Sequence, residues 1–117
     1  MNGLEQWHHV MKEGDMEALY DLLHPDCIFI SPVVHTPQKG REITYAYLRA
    51  ANKALSEDFQ YVREVVQDNH AVLEFTVKVD GVFVNGVDII TFEGDQIVEL
   101  KVMVRPLKAV NAVWKPV

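Results

Sequence analysis

Cysteine is almost absent from the sequence, since Cys27 is the one cysteine among 117 residues. An intramolecular disulfide is therefore impossible, and a structural zinc site built from cysteines is excluded. Positive charge is also in the minority, with 11 Lys and Arg against 17 Asp and Glu and a formal net charge of −6. This balance does not favour nucleic acid or an anionic membrane as a partner.

Long apolar runs are missing as well. No stretch approaches the roughly 18 consecutive apolar residues that a membrane-spanning helix needs. The opening MNGLEQWHH has neither the basic region nor the apolar region of a secretion signal. With a single cysteine, these features predict one domain, residues 1–117, in a reducing cytoplasm.

The familiar motifs for nucleotide and metal chemistry are not found. The sequence has no P-loop, no G-x-G-x-x-G, no G-x-S-x-G and no His-Glu-x-x-His. His8 and His9 are adjacent, so they point to different sides of a helix and cannot both face one ion. We therefore expect neither a metal ion nor another cofactor.

Helical spacing dominates the first half of the chain and strand spacing the second, which predicts an α+β fold. Helices are expected from Leu4 to a break at residues 13–15, then from Met16 to Leu23, and over residues 41–55, where Tyr47 lies on the inner face. Residues 32–40 are expected to form a loop. The strands are expected at residues 27–31, 60–67, 71–79, 83–93 and 97–104.

The strand at residues 83–93 carries the most informative pattern. One face joins a single carboxylate to apolar side chains: Val84, Asp88, Ile90 and Phe92. A carboxylate on such a face is costly unless it is protonated, paired or engaged in chemistry. The opposite face is also apolar, so the alternation leaves open whether Asp88 is functional, is hydrogen-bonded in the core, or lies on a solvated face.

Two further residues are candidates on weaker grounds. His35 lies in the proline-bounded loop, and loops of this kind often form the rim of a site. The alternative is an ordinary exposed histidine. Trp7 lies on the inner face of the first helix, where it fills the core or offers its indole N–H to a cavity.

The order of the elements and three segments resemble a known family. These segments are residues 13–23 leading to the first strand, the stretch from Ser31-Pro32 to Gly40, and residues 86–97. They resemble the nuclear-transport-factor-2-like superfamily, in its branch of ketosteroid isomerases and SnoaL-like polyketide cyclases. The superfamily hosts isomerases, dehydratases, cyclases and non-enzymatic binders on one scaffold.

The resemblance implies a specific architecture. It implies a cone-shaped, curved, mostly antiparallel sheet wrapped around a long helix, the cystatin-like or nuclear-transport-factor-2-like fold. The cone encloses a cavity whose mouth is covered by the two N-terminal helices. It also implies a homodimer formed through the outer face of the sheet, which would account for a strand that is apolar on both faces.

The resemblance also assigns site residues. Ketosteroid isomerases hold a protonated aspartic acid on the penultimate strand, and Asp88 matches that position. Their proton-shuttling aspartate falls on Ser31, which cannot act as a base at neutral pH, and their oxyanion-hole tyrosine falls on Trp7. Ser31 is expected to face Asp88 across the cavity. The remaining ligand-binding residues are expected to be Tyr47, Val84, Ile90, Leu100 and Val104.

These expectations combine into a functional hypothesis. The protein is expected to bind a small, largely apolar carbonyl or hydroxyl compound and to perform an isomerisation, cyclisation or dehydration on it. Asp88 would act as the general acid–base group, with His35 as a possible source of the missing base. The alternative is a module of the same fold that binds a ligand or dimerises without catalysis.

Overall fold

The structure, a computed structural model, describes residues 2–54 and 57–113, so Leu55 of the predicted third helix lies outside the described residues. The helices are α1 (Gly3–Glu13), α2 (Met16–Leu22), α3 (Arg41–Ala54) and α4 (Leu107–Val113). The strands are β1 (Leu23–Ile30), β2 (Gln38–Lys39), β3 (Glu57–Gln67), β4 (His70–Val79), β5 (Val82–Glu93) and β6 (Gln96–Arg105).

The break between the first two helices forms where the sequence predicts it. Gly14 ends α1 in the left-handed conformation, with φ 67°, and its amide donates to the carbonyl of Val10. Asp15 then caps α2, because its side chain accepts a hydrogen bond of 3.2 Å from the amide of Ala18. These two caps turn the chain so that both helices cover the sheet.

The six strands form one curved, mostly antiparallel sheet in the order β2-β1-β6-β5-β4-β3, in which β1 and β6 are parallel. The predicted α+β fold is thus confirmed. The β4–β5 hairpin turns at Asp80 and Gly81, which both have positive φ, as the Asp-Gly pair predicts.

β1 and β2 differ most from the sequence-based expectation, and β3 begins three residues earlier than predicted, at Glu57. β1 begins at Leu23 and runs through Pro25, although a proline donates no ladder hydrogen bond. It is tolerated because the pairing of β1 with β6 is interrupted between Leu23 and Ile28. β2 is a short strand inside the predicted loop, where Ile28 pairs with Lys39.

The structure decides which face of β5 points inward. Val84, Asp88, Ile90 and Phe92 are buried on the inner face of the sheet. The opposite face is open, and Phe83 is 58% exposed there. α3 packs against β1 on the inner side, while α4 covers the end of β4, β5 and β6. No helix among the described residues is long and apolar enough to cross a bilayer.

Candidate active site

A cavity of about 620 Å³ opens between the inner face of the sheet and helices α1 and α3. Its walls are mainly apolar and aromatic, and its polar groups fall into two sets. Trp7, Tyr61 and Asp88 belong to its interior, whereas residues such as Lys12 and Asn52 bring polar side chains to its lining from the helices. The lining also includes Met11, Phe29, Tyr47, Leu48, Phe59, Phe75 and Val102.

Asp88 is the buried carboxyl group of this cavity. The ladder places it opposite Leu73 of β4 and Val102 of β6, so its side chain projects from the centre of the inner face. The residue is only 7% exposed. The sheet itself therefore fixes the position of this carboxyl group among apolar neighbours.

A chain of two hydrogen bonds connects Asp88 to the first helix. The hydroxyl of Tyr61 donates to Oδ2 of Asp88 at 2.8 Å. The indole Nε1–H of Trp7 donates to the same hydroxyl oxygen at 3.0 Å. Since the indole has no acceptor, the direction of both bonds is set, and the Tyr61 proton points to Asp88.

The proton affinities of both groups are altered by their surroundings. Burial raises the pKa of Asp88 to about 7, and the hydrogen bond from Tyr61 counteracts part of this increase. Burial and the neighbouring Asp88 charge raise the pKa of Tyr61 well above its usual value of 10. Near neutral pH the carboxyl group therefore exists in both forms, while the phenol stays protonated.

This combination suits proton transfer to and from a ligand. A general acid–base group is most effective when its pKa lies close to the working pH. Tyr61 occupies Oδ2 of Asp88, and no hydrogen bond from another described residue reaches Oδ1, so we expect a ligand to approach Oδ1. Among the described residues, no group of three His, Cys, Asp or Glu side chains is placed to hold a metal ion.

The structure brings three of the sequence-predicted site residues together. Trp7, Tyr47 and Asp88 all line the cavity. Four others lie outside the lining, in the apolar core that surrounds it. These are Val84, Ile90, Leu100 and Val104.

The physical reason for this division is the coverage of the sheet by helices. Val84 packs in a cluster with Ala109 of α4, which covers that end of the sheet. Leu100 lies on β6, which α2 contacts at the other end. In the part of the chain that the structure describes, the inner face is open to the cavity around Asp88, between these two ends.

Neither of the two loop candidates lies at the cavity, where both are expected from the sequence analysis. Ser31 is buried but is not part of the cavity lining. Its Oγ accepts hydrogen bonds from the amides of Val33 and Val34, at 3.0 and 2.9 Å, and so shapes the turn after β1. His35 is exposed in the same loop and does not line the cavity.

Among the cavity residues that sequence reasoning missed, Tyr61 and His8 matter most for the chemistry of the site. Tyr61 lies on the edge strand β3, and its partner Trp7 is 54 positions away in the chain. His8 follows Trp7 on α1, and its ring packs edge-on against Tyr61 with centroids 5.4 Å apart. The alternating Phe59 and Tyr61 on β3 were the available signal that this strand presents aromatic side chains to the interior.

Comparison with protein families identifies the chain from its sequence. The profile of the SnoaL-like domain matches residues 4–100. The chain belongs to the SnoaL-like domain family. The match covers Trp7 and Asp88, and thus both ends of the hydrogen-bond chain that organises this SnoaL-like cavity. A comparison with curated proteins gave no significant match.

Solved structures agree with this assignment. A steroid delta-isomerase from Pseudomonas aeruginosa is 34% identical with a TM-score of 0.90, over 97% of this chain and 84% of that protein. A protein with a cystatin-like fold from Silicibacter pomeroyi DSS-3 is 30% identical with a TM-score of 0.87, over 96% and 79%. A protein from Jannaschia sp. CCS1, assigned as a SnoaL-like polyketide cyclase, shares the fold at 16% identity and a TM-score of 0.76, over 98% and 93%.

Proposed function

We propose that this SnoaL-like domain performs acid–base chemistry on a small, largely apolar carbonyl or hydroxyl compound, with Asp88 as the central proton-transfer group. The observation that carries the proposal is a buried carboxyl group, hydrogen-bonded to the phenol of Tyr61, at the wall of an open cavity. A carboxyl group in this position is costly for folding, and such groups concentrate at functional sites.

The chemistry follows from the two forms of Asp88. In its neutral form, Asp88 donates a proton or a hydrogen bond to a ligand carbonyl, which stabilises the negative charge that develops on oxygen when the compound enolises. In its ionised form, Asp88 takes the proton back. Tyr61 supports the ionised form through its hydrogen bond, so both forms are accessible without a change of structure.

The shape of the cavity indicates the class of compound. Its volume of about 620 Å³ accommodates a molecule of a few fused rings or a comparable chain. In its wall, the rings of Phe59 and Phe75 are stacked with centroids 5.2 Å apart, and the rings of Phe29 and Tyr47 pack with centroids 4.9 Å apart. These aromatic surfaces favour a planar, apolar body whose oxygen reaches Asp88.

The relatives support the same kind of reaction. The Pseudomonas aeruginosa protein that resembles this chain is named as a steroid delta-isomerase. An isomerisation, cyclisation or dehydration all require proton transfer beside a carbonyl or hydroxyl group. We therefore assign the reaction to this class and leave the individual substrate open.

Hydrogen exchange into a ketone tests the proposal directly. A β,γ-unsaturated bicyclic ketone is incubated with the protein in deuterium oxide, and NMR follows deuterium at the carbon next to the carbonyl. We expect catalysed exchange that falls about 100-fold or more in Asp88→Asn. Asp95→Asn is the matched control, because it makes the same change at an exposed turn and should retain exchange.

The non-catalytic alternative gives a different result. If the domain only binds the ketone, the bound ketone would quench or shift the fluorescence of Trp7, which lines the cavity. It would show no exchange above the rate in buffer. Binding without exchange would therefore overturn the catalytic proposal and support a ligand-binding module of the same fold.

A further inference from the structure

A second ionisable side chain lies at the mouth of the cavity. His8 follows Trp7 on α1, and both residues line the cavity. Trp7 is only 1% exposed, whereas the His8 side chain is 38% exposed. The His8 side chain therefore contacts both the cavity and the solvent, whereas Trp7 is a buried part of the cavity wall.

Glu64 of β3 holds the His8 ring. Oε1 of Glu64 lies 2.5 Å from Nε2 of His8. A carboxylate only accepts hydrogen bonds, so Nε2 carries the proton in this pair. In the neutral ring, Nδ1 is then the nitrogen with the free lone pair, which makes His8 a base of fixed tautomer.

A β-bulge brings Tyr61 and Glu64 to the same face of the sheet. Residues three positions apart in a regular strand point to opposite faces. The pairing of β3 with β4 shifts between Tyr61 and Arg63, and this extra residue restores the inward direction at Glu64. Glu64 thus stands opposite Leu73, in the same row across the sheet as Asp88.

We propose that His8, positioned by Glu64, is a second proton-transfer group of this cavity, which acts on ligand carbon while Asp88 acts on ligand oxygen. This inference rests on the proposed function and names the base that the site requires. The Tyr61 side chain separates the two groups, because its ring contacts His8 and its hydroxyl binds Asp88. A ligand lying along Tyr61 reaches both groups at once.

In the proposed step two protons move, and no oxidant or reductant takes part. Neutral His8 takes a proton at Nδ1 from the carbon next to a carbonyl, and the electron pair of the broken C–H bond forms a carbon–carbon double bond. The carbonyl oxygen takes the proton of neutral Asp88 and becomes an enol, which leaves Asp88 as a carboxylate. Return of the two protons, to the same or a conjugated carbon and to Asp88, restores the protein.

The surroundings of His8 fit this role. Charged and titratable groups near it include Glu64 and Tyr61 on β3. Lys12, one turn further along α1, and Glu13 also line the cavity. The Glu64 carboxylate stabilises the imidazolium that forms in the step, as acidic partners of histidine do. Because His8 is partly exposed, its proton exchanges with the solvent, whereas that of Asp88 is shielded.

The experiment uses the same ketone exchange in deuterium oxide, with His9→Gln as the matched control for His8→Gln. His9 is the exposed neighbour on the same helix and does not line the cavity. We expect His8→Gln to lower the exchange rate by about 100-fold and His9→Gln to leave it unchanged. Ketone binding, read from Trp7 fluorescence, should persist in both variants.

Chemical rescue separates a proton-transfer role from a structural one. In His8→Ala, we expect added imidazole to restore part of the exchange rate, because it enters the space left at the cavity mouth. Glu64→Gln should lower the rate less than His8→Gln, since it keeps a hydrogen-bond acceptor but removes the charge. Asp88→Asn should not respond to imidazole.

The outcomes distinguish the two proposals. Exchange that depends on Asp88 but is unaffected in His8→Gln would overturn the role of His8 and leave the proposed function intact. Loss of exchange in His8→Ala without rescue by imidazole, accompanied by loss of ketone binding, would show a structural role and also overturn it. Absence of exchange in the unmodified protein would overturn both.

Discussion

The hydroxyl of Tyr61 reaches across a whole strand to bind Asp88. Tyr61 lies on β3 and Asp88 on β5, with β4 between them, yet the hydrogen bond is 2.8 Å long. The row that begins at Tyr61 continues through Phe75 to Gly86. Gly86 has no side chain, and the Phe75 ring occupies the space that a Cβ there would fill. The Tyr61 hydroxyl therefore binds Asp88 in the neighbouring row.

The raised pKa of Asp88 makes stability depend on pH with a definite sign. The ordinary pKa of an aspartic acid side chain is 3.8, and the pKa of Asp88 in the folded protein is about 7. Between these values the unfolded chain ionises Asp88 while the folded chain keeps the proton, so the folded state binds more protons. The free energy of unfolding therefore falls as pH rises through this window.

Asp88→Asn should remove this dependence, because the amide cannot ionise. We expect the stability of the variant relative to the unmodified protein to increase by about 3 kcal/mol as the pH rises from about 5 to about 8. Above this range the difference should stay constant. Urea unfolding at four pH values measures the difference, in which the other titrating groups cancel. A difference that stays constant with pH would contradict the burial of an ionisable Asp88.

Tyr61→Phe should disturb both ends of the hydrogen-bond chain. It leaves the buried indole N–H of Trp7 without its acceptor, which costs about 1–3 kcal/mol of stability. It also removes the hydrogen bond that favours the ionised form of Asp88, so the pKa of Asp88 should rise further. Denaturant unfolding measures the first effect, and carboxyl-carbon NMR titration measures the second.

The control for Tyr61→Phe is Tyr45→Phe on α3. Tyr45 is half-buried and makes ring contacts with Tyr20, outside the cavity lining. We expect this variant to change stability by less than about 0.5 kcal/mol. A Tyr61→Phe variant that titrates like the unmodified protein would show that Tyr61 does not bind Asp88 in solution.

The sequence was most informative where local chemistry decides the structure. β4 and β5 were predicted within one residue of their observed ends, because alternating side chains and the Asp80-Gly81 turn define a hairpin by themselves. The break at Gly14 and Asp15 was equally clear, since a left-handed residue followed by an N-cap is a local signal.

The site depends on relationships that a local pattern does not contain. Tyr61 and Glu64 share a face only because β3 has a bulge between Tyr61 and Arg63, and the residue spacing alone indicates opposite faces. Trp7 meets Tyr61 through a contact between distant parts of the chain. Asp88 was found because a charged residue on an apolar strand face is conspicuous in any arrangement.

Gly86→Ala should destabilise the protein through lack of space. A Cβ at this position would lie 2.6 Å from Cζ of Phe75 and 2.7 Å from the carbonyl oxygen of Met103. The backbone contact cannot be relieved by a side-chain rotation, so we expect a loss of about 1–3 kcal/mol in urea unfolding. Val87→Ala, next in sequence but on the outer face, is the control and should cost less. Equal losses would show that Gly86 is not tightly packed.

The outer face of the sheet is predicted to form a homodimer. Val72 and Met103 are 36% and 54% exposed on that face, beside the exposed Phe83. We expect a dimer at micromolar concentration, because the apolar side chains exposed on this face gain free energy by burial against a second copy. Light scattering should give twice the mass of the chain.

Met103→Glu should shift this dimer to monomer, because a charge would be buried at the contact. Leu107→Glu is the control: Leu107 is 73% exposed, and α4 packs on the inner side of the sheet instead. This variant should remain dimeric. A monomer in the unmodified protein, or dissociation by both variants, would place any association elsewhere.

Ser31→Asp tests the loop in which the resemblance places a catalytic base. The structure gives the Ser31 hydroxyl two amide donors, from Val33 and Val34, two and three residues along the chain. Asp forms the same type of turn, since its carboxylate accepts from those amides. We therefore expect Ser31→Asp to fold with stability within about 1 kcal/mol of the unmodified protein and to leave ketone exchange unchanged.

Ser31→Ala completes this test, because it removes the acceptor and should cost about 1 kcal/mol without slowing exchange. The carboxylate in Ser31→Asp is held by the turn amides, so it is not expected to reach a ligand beside Asp88. A marked rise of exchange in Ser31→Asp alone would mean that the new carboxylate enters the cavity. The loop position would then act as the base site after all, and His8 would no longer be needed for that role.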